Sequence, residues 1–113
     1  MDGPTLAWMR EQAAMLDAAI CGSVQLRVDG AVFNRLLFVT PDGDVQHYVK
    51  RHLFTFAREH ERYAAGSERL TVEWRGWRIC PLVCYDLRFP VFARNRFDVE
   101  RAEAPDYDLL VFV

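Results

Sequence analysis

Lysine is nearly missing from these 113 residues: of fourteen cationic side chains, only Lys50 is a lysine. Sixteen acidic residues bring the formal net charge to −2. That balance leaves no basic surplus of the kind that marks a nucleic-acid or membrane-surface partner. Long apolar runs are missing too. None approaches the ~20 residues of a membrane span. No basic region followed by an apolar stretch opens the chain, so no secretory leader is expected. Cysteine is scarce, with Cys21, Cys80 and Cys84 only. If Cys80 and Cys84 share a strand their Cα atoms lie ~13 Å apart, beyond disulfide reach. Reduced thiols and a cytoplasmic setting are the expectation. Cys80-x3-Cys84 with three scattered histidines is a poor zinc pattern, so no metal or other cofactor is expected. There is no Gly-x-Ser-x-Gly elbow, no internal repeat and no low-complexity segment.

What is present is ordinary globular material, 51% apolar and 27% charged, in a length that suits one domain with one core. Leu6, Met9, Ala13 and Leu16 recur at helical spacing and predict a helix over 5–19, with Asp2 and Pro4 as start signals. Residues 19–28 read as a strand. Asp29-Gly30 reads as a hairpin turn leading to a strand over 31–40. Pro41-Asp42-Gly43-Asp44 is a second turn, and a third strand runs from Val45 to about Lys50. These three strands form an antiparallel meander. Between Arg51 and Ser67 the period is lost, and a short helix or an ordered loop both fit. Leu70–Trp74 and Trp77–Cys84 are strands joined by Arg75-Gly76. Phe89 to Phe97 reads as a helix with Pro90 in its first turn. A charged linker over 98–106 leads to a last buried strand, Tyr107–Val113. That strand ends on apolar residues with no turn after it. The expectation is a polypeptide that continues past Val113, since an unprotected apolar edge invites aggregation.

The stretch with chemical promise is Ile79-Cys80-Pro81-Leu82-Val83-Cys84-Tyr85-Asp86-Leu87-Arg88-Phe89-Pro90. An uncharged apolar run reads as a buried strand, and Asp86 and Arg88 mark where the chain leaves the sheet. Cys84 stands at that junction, where open α/β sheets place reactive groups. A buried cysteine is more often an inert small hydrophobe, the role that suits Cys21 and Cys80. Reactivity needs a nearby cation or base. Lys50, His47, His52 and His60 are the possible helpers. Lys50 ends its strand as Cys84 ends its own, so a thiol and an ammonium meet if both ends face one side. The bland alternative for Lys50 is a solvated surface lysine.

Lys50-Arg51-His52-Leu53-Phe54, followed in order by Pro81-Leu82-Val83-Cys84-Tyr85-Asp86-Leu87-Arg88-Phe89-Pro90, resembles the nitrilase superfamily of carbon–nitrogen hydrolases. Glu59 to Gly66 and the hairpin Val72 to Arg78 are similar to its omega-amidase branch. The resemblance implies an α/β fold, a four-layer α-β-β-α sandwich with mixed and antiparallel strands. Residues 1–113 would be the central segment of one such domain, incomplete at both ends. It implies Cys84 as nucleophile, Lys50 as stabiliser of the tetrahedral intermediate and the Tyr85 backbone N–H as a second oxyanion donor. Glu59, seven residues before Gly66, is the accessory glutamate, with Glu61 as the fallback. The reaction implied is amide hydrolysis through a thioester, releasing ammonia from a small omega-amide of a 2-oxo acid.

The family's general-base glutamate has no counterpart here. The isolated chain is therefore expected to be inactive and poorly soluble. A homodimer is implied for the full-length parent, formed near the helix Phe89–Phe97. Arg51, Arg58, Arg62 and Arg88 are the side chains able to clamp a substrate carboxylate, and a surface role suits each as well. The competing reading is a truncated or degenerate product that acts at most as a binding or structural fragment.

Overall fold

Two-residue turns set the plan of this chain. Asp29 and Gly30 have φ of 48° and 83°, and Arg75 and Gly76 have 50° and 81°. Positive φ at both central positions is the turn whose twist matches flanking antiparallel strands. The computed structural model describes residues 3–96 and 104–113. Residues 97–103, which hold part of the expected linker and the end of the expected helix, lie outside the described residues.

Helix α1 spans Pro4–Leu16. Pro4 occupies the first turn, where its missing N–H is no loss. Asp17 at φ 48° ends the helix, its N–H returning to the Ala13 carbonyl. Strands β1 (Ile20–Val28), β2 (Ala31–Val39) and β3 (Val45–Val49) follow as the expected meander. Their order is β1-β2-β3, with registers Ile20↔Val39 to Val28↔Ala31 and Arg35↔Val49 to Val39↔Val45. The 51–66 segment holds two 3₁₀ turns, Thr55–Ala57 and Glu59–Glu61, joined at Arg58 with φ 58°. A second sheet of order β4-β5-β6 joins β4 (Val72–Trp74), β5 (Trp77–Leu82) and β6 (Leu109–Phe112). β4 and β5 are antiparallel, and β5 and β6 are parallel.

The two faces of β2 explain the layering. Leu37 and Val39 pack under Leu6, Met9 and Ala13 of α1. Leu36 and Phe38, alternating with them, join Tyr48 in the cluster that holds Val72, Cys80, Leu82 and Val83 of the second sheet region. A helix therefore lies on one face of the first sheet and the second sheet on the other. This is the α/β arrangement of mixed and antiparallel strands that the resemblance implies.

Several boundaries differ from expectation. Leu16 is 57% exposed, because the packed face of α1 stops at Ala13 and Asp17 turns the chain away. β4 begins at Val72 rather than Leu70, and β5 stops at Leu82 rather than Cys84. Pro81 lies within β5, where a proline would break a ladder flanked on both sides. Beyond Ile79 only β6 pairs with β5 among the described residues, which leaves one side of Pro81 free of a strand. The helix after the thiol segment, α2, is short, Pro90–Ala93, and Arg94 leaves helical geometry.

Candidate active site

Val83 to Arg88 does not run straight out of the sheet. Cys84 opens a 3₁₀ turn, Cys84–Arg88, with φ 47°. Left-handed geometry costs a non-glycine residue roughly 1–2 kcal/mol, so the surroundings must hold it. Three hydrogen bonds do so. The Cys84 N–H donates to the Val113 carbonyl at 2.8 Å, prolonging the β5–β6 ladder by one rung. The Val83 N–H donates to Asp86 Oδ2 at 3.0 Å, and the Asp86 N–H donates to the Val83 carbonyl at 3.1 Å. Among the described residues the Tyr85 N–H, at the start of this turn, has no acceptor in the protein. An N–H at the open start of a turn is available to an incoming oxygen.

The three cysteines separate sharply. Cys80 is buried and Cys21 half-buried, and burial pushes both thiols up to about 11. Both are thus held neutral, the inert role expected of them. Cys84 is exposed, although the apolar run predicts a buried thiol. The turn, by starting two residues after the last strand pair, lifts it out of the core.

Lys50 is not a solvated surface lysine: it is 1% exposed. Its N–H bonds the Asn34 carbonyl at 2.9 Å, which extends β3 by one residue. Its Nζ donates to Glu59 Oε2 at 2.7 Å. A buried ammonium needs such a partner. The same oxygen accepts the Phe54 N–H at 3.0 Å. Glu61, the alternative, pairs instead with exposed Arg58 at 2.8 Å. Glu59 is thus the glutamate that meets Lys50.

The loop that brings Glu59 home is closed by backbone contacts. The Ala64 N–H bonds Val32 O at 2.8 Å, and the Gly66 N–H bonds Lys50 O at 2.9 Å. Gly66 is required by closeness: a Cβ there would stand 2.3 Å from the Val49 carbonyl oxygen.

Sequence reasoning missed what joins Lys50's strand to Cys84's turn. Asp86 marks where the chain leaves the sheet, yet it is 0% exposed. Four donors converge on its two oxygens. Oδ2 takes the Tyr48 hydroxyl at 2.8 Å as well as the Val83 N–H, and Oδ1 takes the His52 N–H at 2.9 Å. His52 Nδ1 lies 2.8 Å from Oδ1 and serves as the fourth donor. Burial, and then the bond to Asp86, raise the Tyr48 phenol far above its ordinary value, so it stays a donor. Its oxygen in turn accepts the Arg51 N–H at 2.9 Å. The His52 ring stacks on Phe89 with centroids 3.7 Å apart and planes within 8°. The available signal was an acidic residue two positions after a candidate nucleophile, at the end of an apolar run.

His47 and His60 are exposed and stand apart from this network. Of the four arginines considered, Arg58 is engaged by Glu61, while Arg51 and Arg88 line a groove of about 590 Å³ with His52, Phe89 and Phe92. Cys84 does not line that groove. Among the described residues, no group of three His, Cys, Asp or Glu side chains is placed to hold a metal ion.

The carbon-nitrogen hydrolase family model matches residues 1–103. The omega-amidase YafV of Yersinia enterocolitica is 52% identical over 106 residues, which is 94% of this chain and 38% of that protein. The 2-oxoglutaramate amidase of Bacillus subtilis is 34% identical over 91 residues, 79% of this chain and 35% of that one. A solved structure from Xanthomonas campestris, a CN-hydrolase superfamily protein with an arsenic adduct in its active site, is 71% identical. It superposes with a TM-score of 0.95, covering 100% of this chain and 43% of its own. The chain therefore spans less than half the length of these relatives.

Proposed function

Because this chain belongs to the carbon–nitrogen hydrolase family, we propose that it is the central segment of an omega-amidase-like enzyme with Cys84 as its nucleophile. The observation that carries this reading is the buried Lys50–Glu59 pair at 2.7 Å, on a strand end tied through Asp86 to the turn that holds Cys84. An ammonium kept dry and aimed by a carboxylate suits a developing oxyanion.

In the reaction so read, the Cys84 thiolate attacks the amide carbon and a C–S bond forms. The carbonyl oxygen becomes an oxyanion, held by Lys50 Nζ and the Tyr85 N–H. Glu59 orients Lys50 through their 2.7 Å contact. The C–N bond then breaks and ammonia leaves with a proton from the general base. The base, now without its proton, takes one from water as the water adds to the thioester, the C–S bond breaks, and the acid departs with the thiolate restored. None of the residues assigned here is that base. The names of the relatives point to a small omega-amide of a 2-oxo acid as substrate. A homodimer at the surface near α2, where Val91 is 77% exposed, belongs to the same reading. The net charge of −2 argues against a nucleic-acid partner, and among the described residues no helix is long and apolar enough to cross a membrane.

The test uses the complete open reading frame that contains these residues. Cys84→Ala should abolish ammonia release from 2-oxoglutaramate, while Cys80→Ala should leave kcat within about threefold. Equal activity in the Cys84→Ala protein rejects the reading. A reading frame that closes at residues 1 and 113 and yields no ammonia favours the non-enzymatic fragment instead.

A further inference from the structure

We propose that Asp86 is a positioning residue: through Tyr48 and His52 it sets the alignment of the Lys50 strand end with the Cys84–Tyr85 turn. The inference rests on the reading of Cys84 and Lys50 given above and assigns a task to a side chain outside that set.

The topology supplies the reason. Lys50 follows β3 in the first sheet, and Cys84 follows β5 in the second. Among the described residues no strand ladder joins the two sheets, so backbone pairing there leaves their relative slide unset. Apolar packing between sheets is non-directional and fixes such a slide loosely. Hydrogen bonds to a charged acceptor are directional and fix it closely. Asp86 supplies them at the needed place. Oδ2 binds its own turn through Val83 and β3 through Tyr48, and Oδ1 binds the segment after Lys50 through His52. Lys50 lies between Tyr48 and His52 in sequence, so both of its flanks are tied to one carboxylate. Tyr48 adds a second tie by accepting the Arg51 N–H. The His52 ring is clamped between Asp86 and the face of Phe89, which belongs to the same segment as Cys84. A carboxylate suits the centre of this network because it only accepts, and every neighbour on its two oxygens donates.

Asp86→Asn tests this with almost no change of volume. The amide places an NH2 where one oxygen stood. In one orientation it faces the Tyr48 O–H and the Val83 N–H, and in the other it faces the His52 N–H. Either way, a donor meets a donor. Oxyanion donors act only when correctly placed, and a misplacement of about 1 Å costs on the order of 100-fold in rate. The experiment measures kcat and KM for 2-oxoglutaramate with the complete open reading frame, well below each variant's melting temperature, and counts active sites by Cys84 alkylation with iodoacetamide. Asp86→Asn should lower kcat at least tenfold, leave KM within threefold, and leave the alkylation count at one per chain. Tyr48→Phe removes one tie and keeps the buried ring, and it should lower kcat by a smaller factor with the same unchanged KM. It decides the matter should Asp86→Asn fail to fold. A folded variant that retains kcat within twofold overturns the proposal, as does a loss confined to melting temperature. Cys84→Ala serves as the separate control: activity that survives it refutes the nucleophile reading itself, whereas its loss alongside an unchanged Asp86→Asn kcat refutes the positioning role alone.

Discussion

Replacing Gly66 with alanine is expected to push the Glu59 loop off the strand that carries Lys50. The added Cβ would lie 2.3 Å from the Val49 carbonyl oxygen, 2.8 Å from Val49 Cβ and 3.0 Å from its carbonyl carbon. Ordinary contact begins near 3.4 Å, so one of two backbones must move by roughly 1 Å. The partner atoms belong to β3, whose other edge is held by β2 through the Arg35↔Val49 pair. The loop is the softer side and gives way. Overpacking of this kind costs ~1–3 kcal/mol. Displacement also stretches the bond from the Gly66 N–H to Lys50 O, now 2.9 Å, worth a further ~0.5–1.5 kcal/mol. The expected loss is about 1.5–4.5 kcal/mol. The assay is urea unfolding of the complete open reading frame, read as a lower midpoint at constant slope. Gly22→Ala is the control, because nothing lies within 4 Å of a Cβ there. A loss below ~0.5 kcal/mol for Gly66→Ala would refute the close-approach argument, since surface changes commonly stay within that range.

Other outcomes follow from the same geometry. Iodoacetamide at neutral pH should label Cys84 well before Cys21 or Cys80, because burial holds the latter two near 11 and only thiolates react. Those two thiols also fix a sign for alkaline stability. Their folded values lie above the ordinary 9.0, so the folded state binds more protons between pH 9 and 11. Their contribution is whole below pH 9 and lost as pH rises through 11, and Cys80→Ala should blunt that decline in urea midpoints. Lys50→Met, which keeps the stem and removes the charge, should lower kcat by ~10²–10³, the usual cost of one oxyanion donor. An unchanged kcat would contradict its role. Asn95→Ala should lower stability by roughly 1–3 kcal/mol in the same urea assay, because Asn95 donates to Tyr107 O at 2.7 Å and accepts the Tyr107 N–H at 3.2 Å.

Much of this fold was legible because turn chemistry and period agreed. Asp29-Gly30 and Arg75-Gly76 named their hairpins, whereas the two buried faces of Ala31–Val39, one under a helix and one against a second sheet, emerge only from the packing. Lys50 and Cys84 stood out by position, and the spacing of Glu59 to Gly66 has its physical cause in the approach of residue 66 to Val49. Three other features were not legible. The exposure of Cys84 depends on a turn that begins where an apolar run still continues, so periodicity alone extended β5 too far. The shortness of α2 follows from Arg94 adopting φ −52° and ψ 128°, which no residue type announces. The burial of Asp86 comes from donors 34 and 38 positions away in the chain, and sequence-local reading treats an acidic residue at a strand end as solvated.

The most direct measurement is acid-quenched mass spectrometry of the complete open reading frame during turnover of 2-oxoglutaramate. Amide hydrolysis through a thioester leaves the acyl group on one cysteine until water removes it. The expected result is an acyl mass increment on the peptide that contains Cys84, absent from the Cys84→Ala protein. An increment on Cys21 or Cys80, or steady ammonia release by the Cys84→Ala protein, would contradict the assignment of Cys84 as the nucleophile.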